Sequence, residues 1–245
     1  MLKYYRADLH IHTCLSPCGD VSISPRRLVQ LAVEKQIDII AVCDHNSAEN
    51  VESTMRAARG LPIVVLPGME ICTQEEIHFI ALFEKVQSVL ELQDIVYLNL
   101  KGENDPETFG LQIVANENDE VLSFNNKLLI GAVDLSINKL VDIVHKLGGI
   151  AIASHIDRES YSIIGQLGFI PDDLNLDALE ISKAISPATA RAKYNVYAKY
   201  PFIQNSDAHS LETIGECTTE YYLASPSFKE LMLALSNKEG RKVGR

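Results

Sequence analysis

Six of the seven histidines fall at or just beyond the end of an apolar run, each with a carboxylate close by in sequence or in a short motif. Asp8-Leu9-His10-Ile11-His12 comes first. Strand alternation would put residues 8, 10 and 12 on one face, so two imidazoles can share a cation while Asp8 orients one of them from behind. Asp44-His45-Asn46 follows Ile39-Ile40-Ala41-Val42, and Pro67-Gly68-Met69-Glu70 places a carboxylate at the end of the next run, where a glutamate can bridge two cations. His78 stands beside Ile77-Phe79-Ile80, Ser154-His155 ends Ile150 to Ala153, and Asn205-Ser206-Asp207-Ala208-His209 repeats the two-residue spacing of an acid and an imidazole. Any one of these could be a satisfied core histidine or a helix cap. Together, so many half-buried ionisable groups would cost several kcal/mol each without a counter-charge, and metal ions supply one. Mixed imidazole and carboxylate donors suit zinc, manganese or iron better than magnesium or calcium.

Such residues meet only if the fold brings strand ends together. Short Val- and Ile-rich runs alternate with segments of helical period, the pattern of βα units around a mainly parallel sheet. Strands are predicted at 6–12, 38–43, 63–67, 77–82, 150–154, 178–181, 202–204 and 221–223, enough for an α/β barrel whose C-terminal strand ends form one rim. Ser24-Pro25, Ser136 and Ser225-Pro226 mark helix starts, and Gly148-Gly149 ends the helix that carries the seventh histidine, His145. The stretch from about 84 to 134 is too long for a barrel connection and is expected to be an insertion in a single 1–245 domain, with a hairpin around Asn116-Glu117-Asn118-Asp119.

The chain has 245 residues, 47% of them hydrophobic, and no apolar run near the roughly 20 residues that span a bilayer. Five cysteines, an odd count without an export signal, point to reduced thiols and a cytoplasmic setting. The formal net charge of -11 and pI of about 5.1 favour a small phosphorylated partner, or a short oligonucleotide end, over a long nucleic-acid duplex or a membrane. The basic tail of Lys238, Arg241, Lys242 and Arg245 reads as a solvated, frayed terminus.

The ordered set Asp8-x-His10-x-His12, Asp44-His45, Glu70, His78, Ser154-His155 and Ser206-Asp207-Ala208-His209 resembles the PHP family, named for polymerase and histidinol phosphatase. The likeness is strongest to its stand-alone bacterial phosphoesterases. It implies a distorted seven-stranded (β/α) barrel, TIM-like, holding two or three divalent ions. One ion would take His10, His12, Glu70 and Asp207; a second, Glu70, His78 and His155; a third, His45 and His209 with Cys18 or Asp20. The implied chemistry is attack of water on a phosphate ester, with Asp207 or His209 assisting the proton and Arg158 clamping phosphoryl oxygens. Lys183 is a weaker candidate for the clamp. An amidohydrolase-like C–N hydrolase and a non-catalytic metal-binding module are the alternatives, and the substrate and oligomeric state stay open.

Overall fold

The apolar runs form strands where the sequence places them, and sheet pairing extends several of them. In the computed structural model, which describes residues 1–244, the chain runs β1 (Lys3–Ile11), α1 (Pro25–Glu34), β2 (Ile39–Val42), α2 (Val51–Ala57), β3 (Val64–Cys72) and β4 (His78–Leu82). There follow α3 (Val86–Asn99), α4 (Pro106–Phe109), β5 (Ile113–Ala115), β6 (Val121–Phe124), α5 (Ile137–Lys146) and β7 (Ile150–Ala153). The last part is α6 (Ile163–Leu167), β8 (Ala178–Ile181), α7 (Pro187–Lys193), β9 (Phe202–Gln204), β10 (Thr219–Leu223), α8 (Phe228–Leu235) and β11 (Lys242–Val243).

Nine strands form one nearly closed barrel in the order β11-β10-β1-β2-β3-β4-β7-β8-β9. The seven from β1 to β9 in that order make the wall, and a parallel bridge from Ile11 to Ala208 ties the two ends of it at the rim. β10 and β11 continue the sheet antiparallel from the other edge of β1. The terminal segment is therefore a paired strand rather than a frayed tail, with Arg241 forked onto Glu230 of α8; Arg245 lies outside the described residues. No helix among the described residues is long and apolar enough to cross a membrane.

Alternate strand positions sort into two cores, as a sheet covered on both faces requires. Leu9, Ala41, Leu66, Ile80, Ile152 and Tyr221 fill one, closed by Phe228, Leu231 and Leu235 of α8. Ile40, Met69, Phe79 and Leu179 join the other, with Leu28 of α1, Leu92 of α3 and Leu140 of α5. α5 starts as predicted, Ser136 accepting from the Lys139 amide, whereas α8 starts two residues late, on Ser227 rather than Ser225.

One strand departs from the parallel scheme. β4 pairs antiparallel with both β3 and β7, so residues 73–77 form a hairpin connection rather than a crossover. Gly68 lets β3 lie close to both neighbours: a Cβ there would stand 2.8 Å from Cys43 Sγ and from the Val42 carbonyl oxygen, and 2.9 Å from Leu82 Cδ2 of β4. β3 consequently runs through Glu70, and the reversal brings His78, at the start of β4, to the same rim. Residues 84–134 pack on loops that follow β1 and β2: the Ile113 amide donates to the Cys14 carbonyl, and Asn46 Nδ2 donates to Leu129 and Gly131.

His145 lies away from the rim, where its Nε2 meets Asp177 Oδ2 at 2.9 Å. That hydrogen bond raises the imidazole above its ordinary 6.5. A raised folded value means the contribution is complete below pH 6.5 and disappears as pH climbs through the folded value. His145→Gln is expected to cost under about 1 kcal/mol at pH 6 and nearly nothing at pH 9, read by urea unfolding; equal costs at both would exclude the charged pair.

Candidate metal centre

Glu70, 1% exposed, is the hub of the rim. Its Oε1 lies 3.3 Å from His10 Nε2, 3.4 Å from His78 Nδ1 and 3.5 Å from His155 Nε2. Its Oε2 lies 3.4 Å from His12 Nε2 and 3.3 Å from His45 Nδ1. Asp207 Oδ1 comes within 3.3 Å of both His10 and His12. Positive φ values at Asn46 (51°), His155 (29°) and Asp207 (50°) turn the chain sharply where these groups are displayed, a placement typical of functional loops.

Supporting residues fix the imidazole tautomers. Ser16 Oγ gives its one proton to Asp44 Oδ1 at 2.7 Å, so it accepts from His12 Nδ1–H at 2.9 Å and leaves the His12 Nε2 lone pair facing inward. His10 Nδ1–H donates to Glu180, 3.0 Å from Oε2. His209 Nδ1–H donates to the Asp207 carbonyl at 2.8 Å, which frees its Nε2. Two lone pairs, on His10 and His12, then face each other across 3.2 Å. Such a geometry calls for a cation between them.

Protons answer that need in the metal-free protein. Burial pulls His12 down, but hydrogen bonds to Asp207 and Glu70 outweigh it and lift the imidazole to about 9. Glu70 and Asp207 resist burial and are held well below the carboxylate range, chiefly by His10. His209 is pushed down to about 4 by burial and by the charge of His12, and His45 is lowered for the same two reasons. Even so, Glu70 Oε1 and His155 Nδ1 stay buried without a hydrogen bond. An orphaned carboxylate oxygen among imidazoles suits a cation.

Three groups of donors, each with atoms within 4.8 Å of one another, could hold ions: His10, His12, Glu70 and Asp207; His45, Glu70 and His78; and His12, His45 and His209. The first coincides with the set the sequence resemblance implied. The second takes His45 where His155 was expected, although His155 remains beside the same oxygen. In the third, His12 closes the group, and Cys18 and Asp20 stand outside it. Cys18 is exposed, and the Asp20 carboxylate turns to the Ser22 amide at 2.8 Å. The His12 Nε2 atom can serve only one of its two groups, because Nδ1 is committed to Ser16.

One sequence reading changes, and one residue it missed enters. Asp8 does not back an imidazole: it accepts from the amides of Ser206 and Gly215, tethering the last motif to β1, and burial raises it to about 6. The residue behind His10 is Glu180, which also accepts from the His155 amide and from Asn205 Nδ2. Its signal was a lone acid inside the apolar run Ala178–Ile181.

Arg158 pairs neither with Asp157 nor with Glu159 but with Asp207 Oδ2 at 2.6 Å. It borders two open clefts. One of about 500 Å³ is lined by His78, His155, Tyr161 and Ser182; the other, about 300 Å³, by Lys183, Asp207, His209 and Thr213. Lys183 is held by Glu216 at 2.6 Å.

Similarity to known proteins agrees with this geometry. Against the endonuclease Q structure from Pyrococcus furiosus the TM-score is 0.77 at 17% identity, covering 98% of this chain and 58% of that one. An endonuclease Q complex with a 27-mer duplex carrying an abasic lesion gives 0.74 at 15% identity, with the same coverages. The latter corrects the expectation that a long duplex is foreign to this architecture. Net charge is a sum over the chain, while a duplex is gripped locally. By sequence, a 5'-3' exoribonuclease of Haemophilus influenzae is 35% identical over 89 residues, 35% of this chain and 31% of that protein. YqxK of Bacillus subtilis, an uncharacterised protein, is 34% identical over 105 residues, 41% of this chain and 27% of its own length. The chain thus spans about a third or less of these two relatives. The PHP-associated family matches residues 196–239 and the PHP domain residues 8–162, a span holding every donor named above except Asp207 and His209, and the chain belongs to the PHP family.

Proposed function

We propose that the chain is a metal-dependent phosphoesterase that cleaves phosphodiester bonds of nucleic acid. The observation that carries this reading is the orphaned Glu70 oxygen among converging imidazoles, of which His78 and His155 line one cleft and His209 another, the two clefts sharing Arg158. Exoribonuclease relatives and the endonuclease Q fold support the polymeric substrate. Residues 84–134 are read as an insertion in one PHP-type domain, walling the β1 and β2 side of the rim.

His10, His12, Glu70 and Asp207 would hold one ion, and Glu70 with His45 and His78 a second. His155 would complete one of these shells, and a third ion would fall to His209 and His45 with His12 or with Cys18 or Asp20 of the loop after β1. Zinc, manganese or iron fits the donors. Bound ions supply the acidity that makes water a nucleophile at neutral pH, and positive charge against phosphoryl oxygens. The chain does the rest. Glu180 and Ser16 hold His10 and His12 in the tautomers that point Nε2 inward. His209, where it is not a ligand, is the candidate carrier for the proton lost by water. Arg158 can exchange the Asp207 carboxylate for a phosphate oxygen, its fork matching two oxygens at once.

The test is incubation of the protein, loaded with each of the three metals, with end-labelled single-stranded RNA and DNA and with a lesion-bearing duplex. Chelator-sensitive cleavage of any of these supports the reading; amide or lactone hydrolysis with every phosphodiester intact overturns it. Arg158→Ala is expected to lower kcat/KM about a hundredfold, and Arg158→Lys to recover only part of the loss. Full activity in Arg158→Lys would reduce the residue to a point charge.

A further inference from the structure

The loop after β7 bears His155, Arg158 and then Tyr161. The first two belong to the site just described. Tyr161 does not: it is 45% exposed, yet it lines the larger cleft beside His78 and His155. One face of its ring stacks on His78, centroids 4.6 Å apart and planes inclined by 26°. The backbone is left-handed here, φ 57°, a conformation that disfavours a bulky residue, and it is pinned by the His78 amide donating to the Tyr161 carbonyl at 2.9 Å. An aromatic side chain is thus held rigid at the mouth of the cleft without being buried. Packing alone explains neither the exposure nor the strained backbone.

We propose that Tyr161 is a stacking platform for a nucleobase of the substrate strand, adjacent to the phosphodiester that is cleaved. The inference rests on the nucleic-acid reading above and adds a binding subsite to it. Three features support the assignment. The ring sits one imidazole away from Glu70, since His78 touches both, so a base on Tyr161 and a phosphate near Glu70 would belong to the same or adjoining nucleotide. Every base has a π-face, so such a platform is tolerant of sequence. Arg158 borders the same cleft and can turn from Asp207 to the backbone phosphate while the ring takes the base.

The test uses single-stranded oligonucleotides carrying either a base or an abasic residue, placed in turn at the positions immediately 5' and 3' of the scissile phosphate. Wild-type protein should prefer the base-bearing substrate at one position by about tenfold in KM. Tyr161→Ala should bring that ratio close to one, and Tyr161→Phe should keep it, because no hydrogen bond to the hydroxyl contributes. A preference that survives Tyr161→Ala overturns the platform, as does an equal loss on both substrates, which would assign Tyr161 to the support of His78. Wild-type protein that cleaves neither these oligonucleotides nor a duplex carrying the same base or abasic residue overturns the nucleic-acid reading itself, a different result from cleavage without base preference.

Discussion

Glu70→Gln is expected to leave a folded protein that has lost two of its three candidate ion sites and about a thousandfold or more of its phosphodiesterase activity. The side chain keeps its shape, but the charge that organises five imidazoles is gone. An amide nitrogen would also project donors into space where cations are wanted. The fold should survive, because the imidazoles can shed the protons that Glu70 now stabilises: His12, held at about 9 with the help of Glu70, should fall toward its ordinary range. Elemental analysis, turnover and circular dichroism on the same preparation check the three parts. A fully metallated, near-wild-type Glu70→Gln enzyme would remove Glu70 from the centre of the site.

Much of this arrangement is legible from the chain. All the apolar runs assigned to strands became strands, since Val-Ile runs of four or five residues bounded by turns have few other uses in a sheet covered on both faces. The meeting of His10, Glu70, His155 and Asp207 followed from strand ends sharing a rim. What failed had a physical cause in each case. β4 was placed in a parallel scheme although the nine residues between the predicted strands, 68–76, cannot build a crossover, which needs a dozen or more; that signal was present and unused. Pro67-Gly68 looked like a strand end, but pairing with β4 carries the strand to Cys72. Asp8 was assigned by alternation to orient one of the two imidazoles, but the pairing of β1 with β2 slips between Asp8 and Ile11, and its carboxylate meets the Ser206 and Gly215 amides instead. Total charge is no guide to a duplex, because it averages over the whole surface, and a similar fold holds a 27-mer duplex in endonuclease Q.

Glu180→Ala should show what the missed acid contributes, and its effect on stability is expected to be the largest of any single change proposed. The carboxylate is buried and accepts from three donors: His10 Nδ1–H, the His155 amide and Asn205 Nδ2. Stripping the acceptor leaves all three desolvated and unpaired, at a cost of about 3–5 kcal/mol. It also frees the His10 ring to rotate or change tautomer, which should weaken metal binding about 10- to 100-fold. Glu180→Gln separates these contributions, since its carboxamide oxygen can still accept from His10 while its NH2 opposes the Asn205 amide; an intermediate loss is expected. Because an ion that binds only the folded state stabilises it in proportion to its affinity, unfolding followed with chelator and then with excess manganese reads the orientation directly. The metal-induced rise in Tm should shrink from wild type to Gln and again to Ala. An Ala variant that is less stable but gains the full metal-induced rise would make Glu180 a structural acceptor with no hold on the His10 ligand.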